Sequence, residues 1–184
     1  MKLIPAYFIA LAFPQVLLAS QCTSGGEEFK IYDCDKKLCI SNGNKTETLL
    51  ENFSGNEKAE CTDINFDGQP DIIIRHPPSG QTQMSSVFIF NEKSKSFIKN
   101  EEISNIPCLA IDEKNKRLSG TCFSSSNCDT WSEEYKFNKE GKLEITAMKG
   151  TYCDPSTGDA YSYFEKYNDG KISERKVAPI VKED

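Results

Sequence analysis

The chain has 184 residues, and its 28 aspartate and glutamate side chains outnumber 22 lysines and arginines to give a formal net charge of −6. An acidic chain without a basic segment argues against binding to nucleic acid or to anionic lipid. The sign of the charge favours cationic partners or divalent metal ions. The length suits one domain built around a buried core.

The first twenty residues, 1–20, have the pattern of an export signal. One lysine precedes an uncharged apolar run, and Ala19 and Ser20 supply the small residues that signal peptidase needs. The run is too short, and too interrupted by proline, to span a membrane. We therefore expect a single mature β domain, residues 21–184, that is exported to the periplasm and is not held in the membrane.

All eight cysteines follow the predicted signal, and an even number behind such a signal indicates disulfides formed in an oxidising compartment. Residues equidistant from a hairpin turn face each other, so the turns suggest the pairing. The predicted pairs are Cys34–Cys39, Cys108–Cys122, Cys128–Cys153 and, by elimination, Cys22–Cys61. A lipid on Cys22 is the alternative, although Gln21 stands where a lipid-attachment signal has a small residue.

Short runs rich in β-branched and aromatic residues alternate with turn residues, and helical periodicity is almost absent, as is typical of an all-β protein. The predicted strands are Phe29–Tyr32, Lys37–Ser41, Asp71–His76, Ser86–Phe90, Ser96–Lys99, Leu109–Ile111, Arg117–Cys122, Trp131–Phe137, Lys142–Met148, Tyr161–Tyr167 and Lys171–Glu174. We interpret Thr46–Asn52 as a helical turn. Asx residues such as Asn91 and Asn138 follow apolar strand ends, which predicts serial hairpins in a compact antiparallel meander stapled by disulfides.

The run from Asp63 to Asp71 reads D-x-N-x-D-G-x-x-D. Oxygen donors at loop positions one, three, five, seven and nine match the spacing that a hard, oxygen-seeking cation requires, and Gly68 permits the sharp turn. The predicted ligands are the side chains of Asp63, Asn65, Asp67 and Asp71 and the backbone carbonyl of Gln69. Ile74 occupies position twelve, where an EF-hand has a bidentate glutamate. We predict a structural calcium ion; the alternative is a polar turn that binds nothing.

This loop resembles the FG-GAP or VCBS-type calcium loops of integrin-like β-propellers. The segment from Asp63 to about Tyr135 is similar to a family of small periplasmic calcium-binding proteins of Gram-negative bacteria, through the hairpin Val87–Glu102 and the turn at Ile106-Pro107. Known members resemble the periplasmic inhibitors of invertebrate-type lysozyme, with a compact propeller-like β fold. Some are lysozyme inhibitors or immunity proteins. The resemblance implies a lysozyme-like peptidoglycan hydrolase as the partner.

Several kinds of lysozyme inhibitor carry a Ser-Gly-x-x-Tyr loop that enters the active-site cleft of the enzyme. Here Ser79-Gly80 follows Arg75-His76 and two prolines, but Gln83 stands where tyrosine is expected. The resemblance implies an inhibitory loop formed by Arg75, His76, Ser79 and Gly80, whose donors would meet the two carboxylates of a glycosidase site. The alternative is an exposed turn without this role.

We expect no enzymatic activity, because the single histidine, His76, has no nucleophile and orienting group around it. The competing hypothesis is an extracellular adhesion or carbohydrate-binding module with an FG-GAP-like calcium loop. Such a module needs an exposed aromatic platform, for which Tyr161 and Tyr163 are the candidates. The simpler prediction places both tyrosines in the core, together with Trp131 and Tyr135.

Overall fold

The computed structural model describes residues 18–122 and 128–180, and side chains from residue 20 onward. Within these ranges the chain forms fourteen strands and one short helix. In chain order they are β1 (Leu18–Ser24), β2 (Glu27–Asp33), β3 (Leu38–Ser41), β4 (Thr46–Leu50), β5 (Lys58–Thr62), β6 (Asp71–Arg75), β7 (Ser85–Asn91), β8 (Ser96–Lys99), α1 (Glu101–Ser104), β9 (Leu109–Asp112), β10 (Arg117–Cys122), β11 (Thr130–Phe137), β12 (Leu143–Cys153), β13 (Ala160–Asn168) and β14 (Lys171–Pro179).

The strands form three antiparallel sheets, and in each sheet neighbouring strands follow one another in the chain. The first sheet contains β1–β4, the second β5–β8 and the third β9–β14. The turns use the Asx chemistry that the sequence predicts, since Asn138 Oδ1 accepts the amides of Glu140 (2.9 Å) and Lys142 (3.0 Å). Asn91 Oδ1 likewise accepts two amides of the β7–β8 turn. The prediction of an all-β antiparallel meander is confirmed.

The second sheet lies between two hydrophobic cores, because successive residues of a strand point to opposite faces. On one face Ile72 and Ile74 pack with the first sheet, where they meet Phe29. On the other face Ile73 and Val87 pack with α1 and with the first strands of the third sheet. Strand β6 is therefore buried on both sides, which explains its continuous Ile-Ile-Ile sequence.

The four disulfides are the predicted pairs, three suggested by hairpin turns and Cys22–Cys61 by elimination. Cys22–Cys61 ties the first sheet to the second across 39 residues of chain, with Cys22 buried in the first core. Strand β1 begins at Leu18, so it includes the last three residues of the predicted signal, while residues 1–17 lie outside the described range. No helix in the described residues is long and apolar enough to cross a membrane.

The interpretation of Thr46–Asn52 as a helical turn is wrong. This segment forms β4, in which Thr48 pairs with Cys39 and Leu50 with Leu38 of β3. Leu49 points into the first core, so burial on one face of a sheet outweighs the local helix preference of leucine and glutamate. The sequence reading also missed β1, β5 and α1, although Asn100 caps α1 by accepting the Ile103 amide at 2.9 Å.

Candidate calcium loop and exposed hairpin

The predicted calcium loop connects β5 to β6 and folds around its own acidic side chains. Phe66 and Gly68 have positive φ angles of 64° and 90°, which make the turn sharp. Asp63 accepts the amides of Asp67 (3.0 Å) and Gly68 (2.8 Å) through its two oxygens. Asn65 Oδ1 accepts the same Asp67 amide at 3.0 Å. The side-chain oxygens of loop positions one and three therefore converge on one backbone nitrogen.

Asp67 completes this part of the loop at position five. Its Oδ1 accepts the Gln69 amide and its Oδ2 accepts the Asn65 side-chain amide, both at 2.8 Å. A carboxylate has about four acceptor positions, so Asp63 and Asp67 keep unused lone pairs. Asp67 is exposed to solvent, which leaves the site accessible. The donor set of two carboxylates and one amide fits an oxygen-seeking cation such as calcium.

The turn between β1 and β2 holds the second half of the loop in place. Gln69 Oε1 accepts the Gly25 amide at 2.8 Å, and Ser24 Oγ donates to the Pro70 carbonyl. A side chain at Gly25 would bring its Cβ to 2.7 Å from the Phe90 ring, so only glycine allows this approach. Because the Gln69 side chain is engaged here, its predicted contribution to the ion remains that of its backbone carbonyl.

Asp71, the predicted ligand at position nine, is fully buried. Its oxygens accept the amides of Ile64 (2.9 Å), Asn65 (3.3 Å) and Phe90 (2.9 Å), and burial raises the pKa of its carboxyl group to about 6. Asp71 thus anchors the loop to β7 and has about one acceptor position left. In residues 20–122 and 128–180, no three His, Cys, Asp or Glu side chains are grouped so that they could hold a metal ion.

The predicted inhibitory loop is a small hairpin between β6 and β7. Ser79 and Thr82 exchange backbone hydrogen bonds of 2.8 Å and 3.2 Å around Gly80-Gln81. Gly80 has a φ angle of 63°, which a tight turn of this kind requires. Residues 77–81 are exposed to solvent. We name residues 77–81 the hairpin tip.

The base of this hairpin is fixed by a ring of hydrogen bonds. The His76 amide donates to the Met84 carbonyl at 3.0 Å, and the Gln83 side chain donates to the His76 carbonyl at 3.1 Å. The Cys108 amide then donates to the Gln83 carbonyl at 2.7 Å. Cys108 is itself held by its disulfide to Cys122. The hairpin tip therefore stands on a rigid base.

The structure separates the four residues of the predicted inhibitory loop into two groups. Ser79 and Gly80 lie in the exposed hairpin tip. Arg75 and His76 lie at its base, where their side chains already have hydrogen-bond and ion-pair partners. Arg75 donates to the Leu109 carbonyl at 2.9 Å and pairs with Glu60 at 3.3 Å, and His76 Nε2 lies 2.8 Å from Ser86 Oγ. Sequence spacing alone does not reveal this division.

The calcium loop and the hairpin lie at opposite ends of β6. Asp71 is the first residue of this strand and Arg75 is the last, so about 13 Å of extended chain separates them. The structure does not place them in one site. A buried strand links them, so a cation at one end would act on the hairpin through β6 rather than by contact.

Tyr161 and Tyr163 lie outside both hydrophobic cores and are half-buried, so the prediction of core packing is wrong for them. Tyr161 pairs across the sheet with Tyr152, which is 39% exposed, and the two rings stack at 5.4 Å with an interplanar angle of 19°. The sequence reading did not single out Tyr152. Tyr152 and Tyr161 lie on one face because they are cross-strand partners, and this register is set by the pairing of β12 with β13.

Comparison of this chain with protein-family models, with curated proteins and with solved structures finds no match. Inferences about its function therefore depend on the geometry of its own residues.

Proposed function

We propose that this protein is a periplasmic, calcium-stabilised inhibitor or immunity protein, without enzymatic activity, that blocks a lysozyme-like peptidoglycan hydrolase. The hairpin tip would enter the active site of the hydrolase. The observation that carries this proposal is an exposed tip on a base fixed by hydrogen bonds and a disulfide. A loop that is already ordered loses little conformational entropy when it docks.

The chemistry of the hairpin tip suits the active site of a glycosidase. Such a site contains two carboxyl groups that accept hydrogen bonds. Ser79 offers a hydroxyl donor and Gln81 a side-chain amide, and Pro77-Pro78 restricts the approach to the tip. Gln83, which replaces the tyrosine of the inhibitor pattern, does not take over that role, since its side chain is bound to the His76 carbonyl.

The net charge and the four disulfides also support this proposal. The formal net charge is −6, and lysozymes are commonly cationic, so long-range attraction would speed their association. Four disulfides suit the oxidising compartment in which peptidoglycan hydrolases act. These features support a periplasmic location, which is part of the proposal.

In this proposal Asp63, Asn65 and Asp67 hold a calcium ion with the Gln69 carbonyl. Asp71, predicted above as a further ligand, is buried with three backbone amides on its oxygens, and it anchors the loop instead. The ion would neutralise neighbouring carboxylates and tie β5 to β6, a structural role. We also propose a propeller-like arrangement, since two four-stranded meanders stack face to face around one core, as successive propeller blades do.

A carbohydrate-binding module is less favoured by the tyrosine geometry. A sugar ring binds an aromatic platform by lying on an open ring face. Tyr152 and Tyr161 stack on each other, so each ring covers one face of its neighbour. At most one face of each ring remains for a sugar, so the pair offers less open ring area than two separate rings would.

The test of the proposed function mixes the purified mature protein with c-type, g-type and invertebrate-type lysozymes, with calcium and with a chelator. We expect inhibition of at least one type. Ser79→Trp should then weaken inhibition at least about 100-fold, because an added indole cannot enter the cleft with the tip. Ser94→Trp, in the exposed β7–β8 turn, is the matched control. Absence of binding to every enzyme would contradict the proposal, and unchanged inhibition by Ser79→Trp would contradict the role of the hairpin tip.

Calcium is expected to raise the melting temperature of the mature protein. At a calcium concentration 100 times Kd the added stability is about 2.7 kcal/mol. Asp63→Ala/Asp67→Ala should abolish this response, because it removes two of the proposed ligands. The control Glu92→Ala/Glu140→Ala removes the same number of exposed charges from other turns and should leave the response intact. A calcium response that survives in the first variant would disprove the assignment.

A further inference from the structure

The third sheet extends past the second hydrophobic core. The extended part carries aromatic side chains on one face. Cross-strand partners share a face of a sheet, so the register of β11–β14 determines which side chains lie together. We define the tyrosine face as the side of these strands that carries Trp131, Tyr152, Tyr161, Tyr163 and Val177. None of these five residues belongs to either hydrophobic core. Val177 is 48% exposed, so the face is open to solvent.

Gly150 shapes this face. It lies between Trp131 of β11 and Tyr163 of β13 in one row across the sheet. A Cβ atom at Gly150 would collide with the Thr130 carbonyl oxygen of β11, and it would lie 2.8 Å from the hydroxyl oxygen and 2.9 Å from the ring of Tyr163. The phenol of Tyr163 therefore lies across the backbone of β12, where any other residue would displace it. The missing side chain at Gly150 lets β11 and the Tyr163 ring both approach the backbone of β12.

The tyrosine face borders the base of the hairpin. Trp131 pairs with Cys122 of β10, so both side chains point to the same side of the sheet. Cys122 forms a disulfide with Cys108, whose sulfur lies 3.7 Å from the Gln81 carbonyl oxygen in the hairpin tip. A single disulfide thus separates the hairpin from the first residue of the tyrosine face. A protein docked on the tip would reach this face as well.

The charges of the two faces differ. On the tyrosine side, strands β11–β14 carry the carboxylates Glu133 and Glu165 and one cation, Arg175, which pairs with Glu165 at 2.8 Å. The other side carries both signs of charge within the paired registers of β11–β14: the lysines are Lys136, Lys149, Lys166, Lys171 and Lys176, and the carboxylates are Glu134, Glu144 and Glu174. Carboxylates outnumber cations by one on the tyrosine side, whereas cations outnumber carboxylates by two on the other side, so the tyrosine side suits a basic protein surface better.

We propose that the tyrosine face is a second contact surface for the basic lysozyme-like hydrolase that the hairpin tip blocks. This inference rests on the proposed function. A tip of five residues is too small for a stable interface, which buries about 800 Å² on each partner. Tyrosine and tryptophan side chains are the usual centres of binding energy in such interfaces. The hairpin blocks the active site, and the tyrosine face supplies the remaining area.

The test measures the affinity of Tyr152→Ser/Tyr161→Ser for a lysozyme that the parent protein inhibits. We expect affinity to fall about 10- to 100-fold, mainly through faster dissociation. The matched control is Phe164→Ser, which removes an aromatic ring from the opposite face of β13 and should change affinity less than about twofold. Val177→Lys is a second variant, which adds a positive charge to the face and should also weaken binding. Melting temperatures verify that each variant is folded.

The outcomes separate this inference from the proposed function. If Ser79→Trp abolishes inhibition while the tyrosine and Val177 variants bind as the parent does, the second contact surface is overturned and the hairpin role stands. If the parent binds no lysozyme, both fall. A dimer in sedimentation that the tyrosine variant dissociates would assign the face to a second copy of the chain. If the parent protein binds purified peptidoglycan and the tyrosine variant does not, the tyrosine face would be assigned to a glycan. Either of these two results overturns the inference.

Discussion

Replacement of Asp71 by alanine is expected to lower the free energy of unfolding by about 3 kcal/mol or more. The carboxylate accepts three backbone amides in a fully buried position, and each amide left without a partner costs about 1–3 kcal/mol. The melting temperature should fall by roughly 6–12 °C for a chain of this length. Chemical denaturation in the presence of a chelator measures the effect without any contribution from bound calcium.

Two other variants isolate the cause of this loss. Asp71→Asn keeps the size of the side chain but turns one acceptor oxygen into an NH₂ donor, which would face an amide, so it should also be strongly destabilising. Asp67→Ala removes an exposed carboxylate whose hydrogen bonds water can replace, and it should cost less than about 1 kcal/mol in chelator. Equal losses for Asp71→Ala and Asp67→Ala would contradict the anchoring role of Asp71.

Removal of the Cys22–Cys61 disulfide, by Cys22→Ala/Cys61→Ala, is expected to lower the free energy of unfolding by about 4 kcal/mol. The bond closes 39 residues of chain, and the entropy that it removes from the unfolded state grows with the length of the closed segment. The bond also joins β1 of the first sheet to β5 of the second beside their shared core. Chemical denaturation of the oxidised proteins gives the difference.

The matched control is Cys34→Ala/Cys39→Ala. That bond closes only 5 residues within the β2–β3 hairpin, so its removal should cost about 2 kcal/mol. The two double variants remove the same atoms, and the contrast between them reports the length of the closed segment and the tie between sheets. If the short-range variant is the less stable of the two, the assignment of Cys22–Cys61 as the main covalent tie is wrong.

The calcium loop and the hairpin show which structural features can be predicted from neighbouring residues. The spacing of Asp63, Asn65 and Asp67 predicts a folded acidic loop because the turn and its hydrogen bonds lie within nine residues. The role of Asp71 is different, since one of its partners is the amide of Phe90, nineteen residues away in another strand. Its function as a buried anchor depends on how β6 and β7 pair, which spacing within the loop does not encode.

Arg75 and His76 show the same limit in the hairpin. Both belong to the pattern that suggests inhibition, but their side chains bind the Leu109 carbonyl and Ser86 at the base. The resemblance groups these residues in one loop and does not indicate which of them face inward. That distinction comes from the third sheet, whose first strand supplies the partner of Arg75.

The sequence by itself determined the all-β class, most of the strands, the Asx turns and three cysteine pairs, because each depends on residues that are close in the chain or symmetric about one turn. The fourth pair, Cys22–Cys61, followed by elimination. Only the tertiary structure decided which faces are covered. Thr46–Leu50 became a strand because Leu49 could be buried against the second sheet, and Tyr161 and Tyr163 stayed outside the core because the third sheet extends past it. Burial is set by how sheets stack, and stacking involves residues that are distant in sequence.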